Sequence, residues 1–137
     1  MAAILPRKVR TAASGGDTLV AYPLAAYHLG MIFLETSVFS KAIQSLLTDD
    51  EYRELQMALL ENPAKGDLIS GGAGLRKLRW ARQGTGKSGG LRTIYYWAVA
   101  QDQILMVFAY PKNRMENLTD KQLAELAKVA KEEFGNG

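Results

Sequence analysis

Six cations fall between Gly74 and Trp97: Arg76, Lys77, Arg79, Arg82, Lys87 and Arg92, with no acidic residue among them and aromatic residues beside them. A surface of this kind neutralises phosphates and offers rings for bases to stack on, as single-stranded nucleic acid requires. The plain alternative is a solvated basic hairpin. RNA also brings its own nucleophile, the 2′-hydroxyl beside each phosphate. A protein that cuts it must orient that hydroxyl, stabilise the charge growing on the phosphate and move two protons. Cations around the phosphate do the stabilising, and orientation lowers the barrier further. Arginine is restricted to the electrostatic part because it holds its proton, whereas a lysine crowded by arginines can exchange one. The same residues would also hold RNA without cutting it.

Other chemistries lack their residues. The chain has no cysteine, which excludes disulfides, thiolate metal sites and a thiol nucleophile. Its one histidine, His28, leaves no transition-metal ligand set and no Ser-His-Asp triad, so no cofactor is expected. The carboxylates are scattered over helix surfaces; Asp49 and Asp50 open a helix, where negative charge suits the dipole. Gly84-Thr85-Gly86-Lys87-Ser88 invites comparison with a P-loop, but Ala81 stands where that motif needs its first glycine. Gly89-Gly90 and a β-rich run then follow in place of a helix. The loop is better read as a hairpin tip presenting Lys87.

The elements that must position these groups follow from local pattern. Met31–Phe39 is apolar and β-branched enough for a strand, and a short helix follows through Leu47. Thr48 and Glu51 have capping-box spacing, opening a helix with Tyr52, Leu55, Leu59 and Leu60 on one face; Asn62-Pro63 ends it. Residues 66–74 read as a glycine-rich loop. In the strand LRKLRWAR, Lys77 and Arg79 share one face and Leu78 and Trp80 the other. LRTIYYWAVA is the second strand of the hairpin, and ILMVFAY, nearly all apolar, is a central strand. Thr119 and Gln122 cap a last helix with Leu123, Leu126, Ala127, Ala130 and Phe134 as its stripe. The expected fold is α+β: a small antiparallel sheet packed by a helical pair and a C-terminal helix. Lys77, Arg79 and Arg92 are expected on its exposed face, outside the core.

At 137 residues the chain is long enough for one domain with its own core. Residues 1–30 have no sustained periodicity, two prolines and a Gly15-Gly16 break. They are expected to be a poorly structured extension before a domain spanning 31–137, with Met31 as the natural first residue. The net charge is only +3, but Lys65–Arg92 carries seven cations against Asp67, a local +6 that leaves −3 for the remainder.

The run NPAKGDLISGGAGLRKLRWARQGTGKSGGLRTIYYW, with YPKNRMENLTD after it, resembles the RelE/HigB toxins of bacterial type II toxin–antitoxin systems. NPxxGDxI, GLRKxR, GxGKxGGxRxxYY and YxKN recur in that order, and the likeness covers residues 31–134. It implies a cytoplasmic, ribosome-dependent endoribonuclease that needs no metal, cuts mRNA in the decoding site and is neutralised by a cognate antitoxin of helix-turn-helix type. By the same likeness Lys77, Arg79 and Arg92 are catalytic. Arg76, Arg82, Lys87, Tyr96, Tyr110, Lys112, Asn113 and Arg114 contact RNA. The chain departs from the pattern at two places. Asn113 stands where an arginine is expected, so Lys112 or Arg114 must supply that charge. Thr119 falls near an expected tyrosine, for which Tyr96 or Tyr110 is the candidate substitute. Two alternatives remain open at this level: a ParE-like gyrase inhibitor and a non-catalytic RNA-binding module.

Overall fold

The computed structural model describes residues 7–10, 31–81, 90–115 and 117–134. Its strands are β1 (Arg7–Arg10), β2 (Ile32–Thr36), β3 (Asp67–Leu68), β4 (Leu75–Trp80), β5 (Leu91–Ala98) and β6 (Gln103–Pro111). Its α-helices are α1 (Ser37–Leu46), α2 (Asp49–Glu61) and α3 (Asp120–Glu133). The strands form one sheet in the order β1-β2-β6-β5-β4-β3. The architecture is α+β, as expected, but the sheet is mixed: β1–β2 and β2–β6 are parallel, and the other pairs antiparallel. Strand β1 lies in the segment read as an unstructured extension, and no local alternation marked it.

Strand β2 ends earlier than its apolar run suggests. Thr36 acts as N-cap of α1, its Oγ1 accepting from the Phe39 N–H at 3.0 Å and donating to the Val107 carbonyl at 2.9 Å. The cap turns Val38 and Phe39 into the first turn of a helix. Both capping boxes form as read, at Thr48/Glu51 and at Thr119/Gln122. Strand β6 takes the central place its composition demands, and Ile104, Leu105, Met106 and Val107 are all buried.

Each face of the sheet has its own core. Helices α1 and α2 cover one face, setting Phe39, Ile43, Leu55 and Leu59 against Phe33, Leu78, Leu91, Tyr95 and Met106. Helix α3 covers part of the other, with Leu123 and Ala130 against Leu75, Ile94, Leu105 and Val107.

A polar lock holds the chain between α2 and β3. The Tyr95 hydroxyl donates to the Pro63 carbonyl at 2.7 Å and accepts from the Gly66 N–H at 2.8 Å. Arg76 Nη1 donates to the Gly66 carbonyl at 2.8 Å and the Ala64 carbonyl at 3.3 Å. A Cβ at Gly66 would stand 2.8 Å from the Tyr95 ring, so only glycine fits. Burial raises the Tyr95 pKa above its ordinary 10.0, outweighing the opposing hydrogen bond from Gly66. Tyr95→Phe should cost about 1–3 kcal/mol in urea unfolding, because it orphans a buried N–H. The raised pKa means that folding favours the neutral phenol. Wild-type stability should therefore fall as pH rises above 10 toward the folded-state value, and its margin over Tyr95→Phe should shrink over that window.

Candidate nucleic-acid interface

Three cross-strand rows span β4, β5 and β6 on the α3 side of the sheet. Leu75, Tyr96 and Leu105 form the first, Lys77, Ile94 and Phe108 the second, and Arg79, Arg92 and Tyr110 the third. The first row is apolar and lies under α3, where the Tyr96 ring meets Phe134 at 5.5 Å. The third row is cationic and stands at the hairpin end. One face therefore grades from core to charge over two steps along the strands, about 13 Å.

Two devices build the third row. Period-two alternation carries Leu75, Lys77 and Arg79 along one side of β4. In β6 the alternation is interrupted by a bulge: Ile94 pairs with Phe108 but Tyr95 with Met106, leaving Val107 as the extra residue. Val107 and Phe108 then both pack on the α3 side, and the phase beyond them is inverted. Without the bulge Tyr110 would face α1 and α2; with it, Tyr110 lies beside Arg92.

Arg79 and Arg92 are direct register partners. Side chains so paired have Cβ atoms roughly 5 Å apart, where like charges repel. Their environments differ sharply. The Arg79 side chain is 60% exposed and lies 3.4 Å from Asp67, itself 78% exposed. Arg92 is only 7% exposed, and its buried Nε has no hydrogen-bond partner among the described residues. This corrects the expectation that all three cations stand clear of the core.

Lys77 is half-buried in the second row, and its Nζ donates to Asn117 Oδ1 at 2.8 Å, tying β4 to the segment before α3. Tyr110 is buried, with its ring 5.7 Å from Phe108. Lys112, Asn113 and Arg114 form the turn after β6, which is anchored to the start of β5 by the Lys112 N–H on the Gly90 carbonyl at 2.9 Å. Asn113 and Arg114 are exposed at the cationic end. Arg76 is not brought to this face; it lies on the opposite side of β4, in the lock around Gly66. Tyr96 shares the face but lies two rows, four residues, from Arg92, beneath α3. Arg82 and Lys87 lie outside the described residues. Asp67 and Asn117 escaped the sequence reading. Asp67 was inside the GD of NPxxGDxI, a usable signal, whereas nothing marked Asn117.

Among the described residues, no group of three or more His, Cys, Asp or Glu side chains could hold a metal ion. Nor is any helix among them long and apolar enough to cross a membrane.

The molecule is a small α+β domain that gathers its cations toward one end of one sheet face. The family model for the RelE toxin of the RelE/RelB toxin–antitoxin system matches residues 31–136, so the chain belongs to the RelE toxin family. It is the toxin of a toxin–antitoxin system, in a family that stops translation by cutting mRNA, and its counterpart is a cognate antitoxin. Among solved structures, the free E. coli toxin RelE carrying two arginine-to-alanine substitutions matches at 13% identity. That match covers 72% of this chain and 94% of the other, with a TM-score of 0.49.

The burial of Arg92 gives a prediction opposite to that for an ordinary core residue. Replacing a buried, unpaired charge with an apolar side chain of similar length is neutral or stabilising. Arg92→Met should unfold at the same or higher urea concentration than wild type, as equilibrium unfolding would show.

Proposed function

We propose that this toxin is an endoribonuclease acting on mRNA in the ribosomal decoding site, with Lys77, Arg79 and Arg92 as its catalytic residues. The observation that carries the reading is the buried Arg92 guanidinium with an unpartnered Nε, held directly opposite a second arginine. Two facing cations repel until an anion sits between them, and a phosphodiester has the charge and the acceptor oxygens to do so.

In this reading Arg92 and Arg79 hold the non-bridging oxygens of the scissile phosphate. The 2′-hydroxyl gives its proton to water as its oxygen attacks phosphorus, the bond to the 5′-oxygen breaks, and the products are a 2′,3′-cyclic phosphate and a 5′-hydroxyl. Charge that builds on the phosphate is met by two guanidiniums held on adjacent strands. Lys77 is the member of the catalytic set able to exchange a proton, and it protonates the departing 5′-oxygen. Tyr110, expected from the sequence to contact RNA, is buried opposite Arg92 and supports that side chain instead. Lys112, Asn113 and Arg114 extend phosphate contact along the strand, and Arg82 and Lys87, between β4 and β5 in the sequence, add further positive charge. Arg76 serves the fold. No metal is required, since the chain lacks cysteine and its one histidine, His28, lies outside the toxin domain, taken as residues 31–137. The protein works in the cytoplasm, where ribosomes are, and its antitoxin carries a helix-turn-helix DNA-binding part.

A cell-free translation reaction followed by primer extension on the message tests this. New 5′ ends should form only on translated mRNA and should persist with a chelator selective for transition metals. The Lys77→Ala/Arg79→Ala/Arg92→Ala variant should cut at least about a hundred-fold more slowly. Undiminished cleavage by that variant, or arrest of translation with intact message, would contradict the proposal.

A further inference from the structure

Asp67 is a carboxylate inside a cationic site, and its place there is fixed by the fold. Strand β3 pairs antiparallel with β4 so that Asp67 lies opposite Lys77, and Asp67 Oδ2 reaches Arg79 Nη1 at 3.4 Å. The residue before it, Gly66, is held through both its N–H and its carbonyl, by Tyr95 and Arg76. The backbone carrying Asp67 therefore cannot swing away from the cations without breaking that lock.

The pair it makes with Arg79 is a poor source of stability. Both side chains are mostly exposed, at 60% and 78%, and such pairs contribute little because water and salt screen them. Its effect on ligands is larger in proportion. Arg92 is only 7% exposed, so a strand arriving from solvent meets Arg79 first. Any polyanion approaching from solvent must compete with Asp67 for Arg79 and also endure the nearby negative charge.

We propose that Asp67 is a specificity-determining residue that weakens capture of free RNA. Arg79 is given up by Asp67 only to a phosphate that other contacts have already placed, as on a message held in the decoding site. This is discrimination by a built-in repulsive element. It rests on the reading of the cationic row as an RNA site and adds to it a residue that disfavours the wrong presentation of the same substrate.

The test is ribosome-free binding of a labelled single-stranded RNA of about ten nucleotides. Its 2′-O-methyl sugars prevent cleavage, and binding is read by anisotropy with the full chain across roughly 50 to 200 mM salt. Asp67→Asn should bind up to about five-fold tighter than wild type at low salt. The gain should fade as salt rises and vanish when Arg79→Ala is added. Thermal melts should show Asp67→Asn folded as wild type, since Asp67 is exposed. Equal or weaker binding by Asp67→Asn, or a gain that survives Arg79→Ala, would overturn this inference and leave the RNA site standing. No binding by either protein at low salt would also overturn it, since there would be no capture for Asp67 to weaken, while cleavage of translated mRNA would judge the RNA site separately.

Discussion

The structure depends most on one electrostatic imbalance: Arg92 is buried beside another arginine, and among the described residues its Nε has no partner. An unsatisfied buried donor costs on the order of 1–3 kcal/mol, more when it is charged, and a facing like charge adds to that. The cost has to be offset by the rest of the sheet. Strand β5 is well placed to do so, because it lies between β4 and β6 and its opposite face puts Leu91, Thr93 and Tyr95 into the helix-covered side at zero exposure. Function and stability are thus set against each other within single residues of one strand, a common arrangement where a site must be ready for charge before its ligand arrives.

The division of the α3 face follows from that demand. The apolar rows lie under α3, and in the third row Arg92 and Tyr110 are buried while Arg79 alone stays open to solvent. The bulge at Val107 makes the division possible, since it turns Tyr110 toward Arg92 without disturbing the alternation of β5. Across the sheet, the lock formed by Tyr95, Arg76 and Gly66 sets where β3 runs and hence where Asp67 meets Arg79. A side chain buried on one face therefore controls the charge pattern of the other.

Much of this was legible in the residues. The two capping boxes, the apolar stripe of α3 and the central place of β6 are local patterns, and local physics decided them. Lys77 and Arg79 share a face because strand period is two, and Arg92 joins them because the hairpin register sets it opposite Arg79. What escaped the reading depends on distant partners. The helix starting at Ser37 needed the Thr36 hydroxyl, which is also engaged with Val107 71 residues away. Parallel pairing of β2 with β6 has no marker in either strand. Arg76 looks like its neighbours Lys77 and Arg79 in sequence, yet it is one residue out of phase and so serves the opposite face. The burial of Arg92 is a property of the assembled sheet, because alternation alone leaves both arginines of the pair equally exposed.

The central claim is that the guanidinium of Arg92 waits for a phosphate. Its Nε–H is buried, which slows exchange with water and makes its proton observable by 15N-correlated NMR. Titrating the protein with a short RNA bearing 2′-O-methyl sugars tests the claim most directly. The account predicts that the Arg92 Nε–H resonance moves progressively to a saturating limit, with the same midpoint as binding measured by anisotropy. Saturation of binding with that resonance unmoved would contradict it, for the strand would then be held by the exposed cations alone.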